Sequence, residues 1–199
     1  MFIDTTDEAD ADGALADYFE KMRGVWGFLP NFTAAFAPRP DVAAAWNALN
    51  GAIRGGMDRR RYEIATIAAA RALRSTYCTV AHSTMLSDEV GDEDTMRAIA
   101  SAPDGSTLDE VDRAVYRFAT KVAVDASSVD QADVDALREV GLADSDVADV
   151  VYAAAARSFF ARVLDGLGAE LDPQTADRLP ADLLDGMLVG RPVAGPVGG

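Results

Sequence analysis

Apolar residues recur at steps of three and four along most of the chain, a spacing typical of amphipathic helices. The clearest run is Val111, Val115, Phe118 and Val122, which would lie on one helix face. An Ala-rich run through residues 145–164 repeats in the same way and predicts a long helix with a narrow packing face. Only Met1–Ile3 reads as a short strand-like segment. The pattern therefore predicts an all-α fold.

Capping residues mark where several of these helices should begin. Asp58 is placed to cap a helix over residues 59–73, and Ser75 to cap the next one, which begins at residue 76. Thr107 and Glu110 have the spacing of a capping box, and Asp144 or Ser145 would cap the long Ala-rich helix. Each cap satisfies backbone N–H groups that have no partner within the helix.

The 199 residues fit one compact domain with a terminal extension at each end. We expect an N-terminal helical arm at residues 1–24, a core domain at residues 25–172 and a partly disordered tail at residues 173–199. Gly and Pro are concentrated in the last ten residues, a composition that favours disorder at a terminus.

The charge balance excludes several classes of partner. Lys and Arg total 18 against 33 Asp and Glu, a formal net charge of −15. Nucleic acids and anionic membrane surfaces are bound by clustered cations, so neither is expected. No apolar run approaches the roughly 20 residues that span a bilayer, and Met1–Asp12 lacks the features of a signal peptide. These observations predict a soluble, cytoplasmic protein.

The single cysteine and the single histidine stand four residues apart, as Cys78 and His82. On a helix these positions share a face, and with Ser75 as the cap Cys78 falls in the first turn, near the positive end of the helix dipole. Both features favour a thiolate, so we expect a lowered Cys78 pKa. A buried structural cysteine and a hydrogen-bonded core histidine are the alternative. One Cys excludes an intrachain disulfide, and with one His no metal or cofactor is expected.

Glu63 is the third candidate. It lies in the first turn of the helix over residues 59–73, where an acid is favourable on electrostatic grounds alone. The two helices must reverse near Arg74 and cross if Glu63 is to reach the face that carries Cys78. In an apolar site, desolvation would raise the pKa of Glu63 towards values useful for a general base.

These residues carry a resemblance to a known family. Glu63 followed by Cys78 and His82 is similar to the active-site pattern of the alkylhydroperoxidase D-like (AhpD-like) and carboxymuconolactone decarboxylase family, which has a Glu, a Cys-x-x-Cys pair and a His four residues later. The phrase from Arg61 to His82 resembles the family core, and Gly27–Asn31 resembles a Pro-Asn segment of its larger, peroxidase-related members. The resemblance extends over about residues 20–172.

The resemblance implies an AhpD-like helical fold and thiol-dependent, antioxidant reduction of hydroperoxides, an oxidoreductase activity. Cys78 would be the redox-active thiol, with His82 and Glu63 relaying protons and with Ser75 and Tyr77 as further pocket residues. Ser75 stands where peroxidase-active members carry the first Cys, so an external thiol, or Cys78 of another subunit, would have to resolve an oxidised Cys78. The resemblance also implies a homo-oligomer, a trimer or a hexamer.

Two other functions stay open at this stage. In a decarboxylase or lyase, Glu63 and His82 would move protons on a small carboxylated or lactone substrate, and Cys78 would only line the pocket. A non-catalytic oligomeric scaffold or small-ligand binder would keep the same residues without turnover. The sequence alone does not choose among the three.

Overall fold

The all-α prediction is confirmed by the computed structural model, which describes residues 1–195. The α-helices of this part of the chain are α1 (Gly13–Trp26), α2 (Phe32–Phe36), α3 (Pro40–Gly56), α4 (Arg59–Ala72), α5 (Thr76–Met85), α6 (Glu93–Ser101), α7 (Glu110–Asp125), α8 (Gln131–Glu139), α9 (Asp144–Leu167), α10 (Pro173–Ala176) and α11 (Ala181–Met187). A π-helical turn, Leu86–Val90, extends α5.

Helix α4 is the centre of the core. It contacts α5, α7 and α9, and its residues from Ile64 to Ala70 are almost completely buried. The helix is rich in Ala, and small side chains on α4 and α9 allow the helix axes to approach closely. This packing buries the first turn of α5 and the face of α4 that carries Glu63.

Several helix ends agree with the sequence, and others differ by a few residues. Asp58 accepts a hydrogen bond from the backbone N–H of Arg61 at 2.9 Å, as a cap should. The Thr107 capping box is wrong: Asp109 caps α7, and Thr107 donates its hydroxyl to Ala98 instead. Helix α9 begins one residue earlier than expected, with Ala143 as its cap, because the Asp146 carboxylate accepts the N–H of Ala143.

The chain reverses between α4 and α5 at Arg74, which adopts a left-handed backbone conformation with φ of 59°. This geometry is unfavourable for a residue with a Cβ, but it turns α5 back alongside α4. The first turns of the two helices can then contribute side chains to one site. Because both helices are buried along most of their length, the surrounding core holds the turn in place.

The expected disorder of the C-terminal tail is not observed at residues 173–195. Leu183 and Met187 of α11 are buried, and the backbone N–H of Gly190 donates to Thr76 Oγ1 at 2.8 Å. A Cβ at position 190 would come within 1.8 Å of the Arg74 carbonyl oxygen, so only glycine fits there. The prediction of disorder also covers residues 196–199, which lie outside the described residues.

The N-terminal segment is an ordered part of the molecule. Helix α1 buries Tyr18, Phe19 and Met22 and contacts α3. The strand-like character expected for Met1–Ile3 is not observed, since these residues form neither helix nor strand, although Phe2 donates its N–H to the Leu167 carbonyl at 2.8 Å. None of the described helices is both long and apolar enough to traverse a bilayer.

Candidate active site

A cavity of about 450 Å³ opens between α1, α3, α4, α5 and α9. Its lining includes Glu63, Cys78 and His82, so the structure brings the three candidate residues to one space. All three are buried, with Glu63 fully inaccessible. The volume falls within the range of about 300–1,000 Å³ that is usual for small-molecule sites.

Glu63 and His82 form a buried pair across the interface of α4 and α5. His82 Nδ1 lies 2.5 Å from Glu63 Oε2, and Arg59 Nε lies 2.7 Å from the other carboxylate oxygen, Glu63 Oε1. Arg59 also contacts Glu89 at 2.7 Å. The carboxylate of Glu63 is therefore held between an imidazole and a guanidinium.

The protonation states of this pair follow from burial and the neighbouring guanidinium groups. Burial alone would raise the pKa of Glu63, but its interaction with His82 and the charges of Arg59 and Arg157 outweigh burial, and the pKa is lowered. Burial and Arg157 lower the pKa of His82 to about 4, with Glu63 opposing them. Arg59, whose Nε lies 2.7 Å from Glu63 Oε1, and Arg157 both favour the ionised carboxylate.

The neutral imidazole must then carry its proton on Nδ1, because an ionised carboxylate can only accept a hydrogen bond. His82 Nδ1 donates to Glu63, and Nε2 keeps its lone pair. This arrangement orients His82 as a base, with Glu63 as the residue that fixes its tautomer. The expected rise of the Glu63 pKa is wrong, because that expectation considered desolvation alone and not the interaction with His82 and the charges of Arg59 and Arg157.

Cys78 lies one helical turn from His82 on the same face of α5, but its sulfur contacts a different partner. Arg157 Nη1 lies 3.7 Å from Cys78 Sγ. Burial raises the pKa of the thiol, and Arg157 offsets only part of that rise. The expected lowering of the Cys78 pKa is therefore wrong, because desolvation exceeds the stabilisation offered by the helix end and its charged neighbour.

The region that contains the three candidate residues matches a known protein family. Residues 40–102 match the model described as "CMD: Carboxymuconolactone decarboxylase family", a region that contains α3 to α6 and with them Glu63, Cys78 and His82. Over this region the chain matches the carboxymuconolactone decarboxylase family, and its fold is AhpD-like.

Solved structures give the same fold. An uncharacterised peroxidase-related protein with an alkylhydroperoxidase AhpD core, from Ralstonia eutropha JMP134, is 25% identical, with a TM-score of 0.78 over 90% of this chain and 97% of that one. A peroxidase-related protein from Silicibacter sp. TM1040 is 21% identical, with a TM-score of 0.73 over 86% of this chain and 93% of that one.

A third structure with this fold is a cysteine-to-alanine variant of the debrominase Bmp8 in complex with 2,3,4-tribromopyrrole. It is 17% identical, with a TM-score of 0.74 over 94% of this chain and 97% of that one. No curated protein matched the chain in a sequence search.

Ser75 and Tyr77, the two further residues singled out in this AhpD-like sequence, have different positions. Tyr77 lines the cavity, and its hydroxyl donates to Asp172, which also accepts the N–H of Asn31 at 2.6 Å. Ser75 is fully buried at the start of α5, outside the cavity lining, where its hydroxyl acts to lower the pKa of the Cys78 thiol and of the Asp165 carboxyl. Tyr77 therefore ties α5 to the segment around Asn31.

Arg157 is the site residue that sequence reasoning missed. It is buried on α9, with its guanidinium 5.7 Å from the centre of the Trp46 ring and 5.3 Å from that of Phe160. An Arg on the apolar face of an Ala-rich helix is a recognisable signal, since unpaired charges are rarely buried. It lies 79 residues beyond Cys78, so spacing alone could not connect the two.

The described residues contain no group of three His, Cys, Asp or Glu side chains arranged to hold a metal ion. The two carboxylates of the cavity lining, Glu63 and Glu89, both contact Arg59. Cys78, His82 and Glu63 contribute a thiol, an imidazole and a carboxylate to this cavity.

The buried neutral His82 should make stability depend on pH. Its pKa is about 4 in the folded chain, against 6.5 for an unperturbed histidine. Between these values the unfolded chain binds a proton at His82 and the folded chain does not, so the free energy of unfolding falls as the pH drops. The loss should reach about 3 kcal/mol at most.

Urea unfolding at about pH 7 and about pH 4.5 measures this loss in the wild type and in His82→Gln, whose amide can still donate to Glu63. We expect the wild type to lose about 2 kcal/mol more than the variant over this interval. Equal losses in the two proteins would show that His82 titrates normally in the folded chain.

Proposed function

We propose that this chain is a thiol-dependent reductase of organic hydroperoxides that uses Cys78 as its single redox-active cysteine. The observation that carries the proposal is the convergence of Cys78 with the Glu63–His82 pair on one cavity. The AhpD-like family and the peroxidase-related relative support it. A thiol, an oriented base and a cation beside the sulfur are the groups that peroxide reduction requires.

His82 has two tasks in this reaction. Its Nε2 takes the proton of the Cys78 thiol, whose raised pKa keeps it protonated at neutral pH, and Arg157 stabilises the thiolate. The sulfur attacks the terminal peroxide oxygen, so that an S–O bond forms while the O–O bond breaks. The departing alkoxide receives the proton from His82. The products are Cys78 sulfenic acid and an alcohol, and the sulfur has been oxidised by two electrons.

Regeneration requires two equivalents of an external thiol. The first condenses with the sulfenic acid to a mixed disulfide and releases water, and the second attacks that disulfide to return the Cys78 thiol and an external disulfide. The proposal places Ser75 where peroxidase-active members carry their first cysteine, so no internal thiol competes. Burial of Cys78 favours a small external thiol over Cys78 of another subunit. A homo-oligomer, a trimer or a hexamer, is part of this proposal.

A stoichiometric measurement tests the proposal. Without thiol, the wild type should consume about one equivalent of cumene hydroperoxide per chain, because each chain has one cysteine to oxidise. Adding 2-mercaptoethanol should turn this single event into continuous consumption. Peroxide loss no faster than in buffer, with and without the thiol, would contradict the proposal.

A second candidate function is proton transfer on a small carboxylated substrate, as in a decarboxylase or lyase. The observation that favours it is the Glu63–His82 hydrogen bond of 2.5 Å, which prepares His82 as a base without any role for the sulfur. In that reaction Cys78 would only line the cavity. Cys78→Ser distinguishes the two candidate functions, because hydroperoxide reduction requires the sulfur and proton transfer does not.

A further inference from the structure

The inner wall of the cavity is built from aromatic rings. Phe32 lies between Trp26 and Phe160, with ring centres 5.8 Å and 5.6 Å away, and Phe160 stacks on Trp46 at 4.9 Å. Each of these side chains lines the cavity. Rings packed against one another in this way form a rigid apolar surface, which suits a flat apolar group better than a small polar peroxide.

The outer part of the cavity carries two cations that form no ion pair within residues 1–195. Lys21 of α1 and Arg54 of α3 line the cavity and are exposed, whereas the reactive residues are buried, so the two cations lie at the mouth. Neither makes an ion pair or a side-chain hydrogen bond with another described residue, in a chain whose formal net charge is −15. Most other arginines of the described chain are paired.

Both carboxylates that line the cavity are engaged, as is the cation Arg178, and the remaining cation, Arg157, is buried beside Cys78 Sγ at 3.7 Å. Glu63 and Glu89 both contact Arg59, and Arg178 contacts Asp88 at 2.6 Å. The positive charge of Lys21 and Arg54 is therefore not cancelled by a carboxylate of the lining. In an acidic protein that repels anions in general, this mouth is a place where an anion is attracted.

We infer that the cavity binds an amphipathic carboxylate, an aryl or arylalkyl acid whose ring lies against the aromatic wall and whose carboxylate lies between Lys21 and Arg54. The inference rests on the proposed function for the reacting group: the substrate would be such an acid with a hydroperoxide at the end that reaches Cys78. Binding of the acid itself requires no reaction.

Tryptophan fluorescence measures this binding directly, because both tryptophans of the chain, Trp26 and Trp46, line the cavity. The probes are phenylbutyrate and its neutral amide, phenylbutyramide, which have the same ring and chain length. We expect the carboxylate to bind about tenfold more tightly than the amide at low salt, since two exposed ion pairs contribute about threefold to fivefold each. Added salt should reduce the difference.

Two double variants provide the comparison. Lys21→Gln with Arg54→Gln should abolish the preference for the carboxylate and leave the affinity for the amide unchanged. Arg117→Gln with Arg162→Gln is the matched control, because these cations are exposed and also have no ion pair among the described residues, but they lie outside the cavity lining. The control should keep the full preference.

Each outcome decides one question. Equal affinities of the two probes, or a preference that survives in the Lys21/Arg54 double variant, would overturn the inference. The same fluorescence titration in Cys78→Ser measures the binding of the two probes in a protein that cannot carry out the proposed reaction. A preference for the carboxylate without consumption of cumene hydroperoxide would refute the proposed reaction but not the binding site. Consumption of cumene hydroperoxide without that preference would refute the binding site but not the reaction.

Discussion

Cys78→Ser should lower the rate of hydroperoxide consumption by at least about 10³-fold, the scale expected when a reaction loses its nucleophile. A serine hydroxyl does not form a stable oxidised product with a peroxide oxygen, whereas a thiol forms a sulfenic acid. The substitution is nearly isosteric, and Arg157 Nη1, now 3.7 Å from the sulfur, can donate to the new hydroxyl. We therefore expect the fold to be retained, which thermal unfolding checks.

His82→Gln is the companion variant for this measurement. If the thiol reaction is correct, both variants lose the consumption of hydroperoxide, because one removes the nucleophile and the other its base. A proton-transfer enzyme would behave differently: an activity on a carboxylated or lactone substrate would survive Cys78→Ser and disappear in His82→Gln. Undiminished peroxide consumption in Cys78→Ser would contradict the role proposed for the sulfur.

Glu63→Gln should reduce the rate of Cys78 oxidation by about 10²-fold, the lower end of what general-base catalysis contributes. The Glu63 carboxylate accepts a hydrogen bond from the Nδ1–H of His82, and this hydrogen bond increases the basicity of Nε2. A neutral amide removes that charge, and it can present its NH₂ group to the imidazole and so select the wrong tautomer. The rate is measured in single turnover with a small excess of cumene hydroperoxide.

Glu89→Gln is the matched control for Glu63→Gln. Glu89 is bound to the same arginine, Arg59, at 2.7 Å, but it has no hydrogen bond to His82 among the described contacts. It should keep the wild-type rate within about twofold, since exposed ion pairs contribute little. Equal rate losses in the two variants would show that Glu63 acts only through the position of Arg59.

The sequence predicted the helical fold well because it depends on local periodicity. The pattern of apolar residues located α4, α5 and α7 to within a few residues, and Asp58 was correctly recognised as a cap. The Thr107 cap was wrong because Asp109, two residues later, accepts the backbone N–H of Asp112 and begins the helix instead. Order in the tail was missed because it depends on long-range contacts, such as Gly190 with Thr76.

The composition of the site was predicted in part. Glu63, Cys78 and His82 lie on two consecutive helices, so their spacing indicates a shared site once the reversal at Arg74 is allowed for. Arg157 comes from α9, and no spacing rule connects it to Cys78. The signs of two pKa shifts were wrong because the balance between desolvation and neighbouring charges, among them Arg157 of α9, is a property of the packed structure.

Intact mass measured after one equivalent of cumene hydroperoxide shows whether Cys78 is the reactive group. We expect a gain of one oxygen on the wild-type chain, located at Cys78 by peptide mapping, which 2-mercaptoethanol removes and which Cys78→Ser does not show. An unchanged mass in the wild type, or an oxygen found only on methionine, would show that the sulfur beside Arg157 is not the reactive group of this cavity.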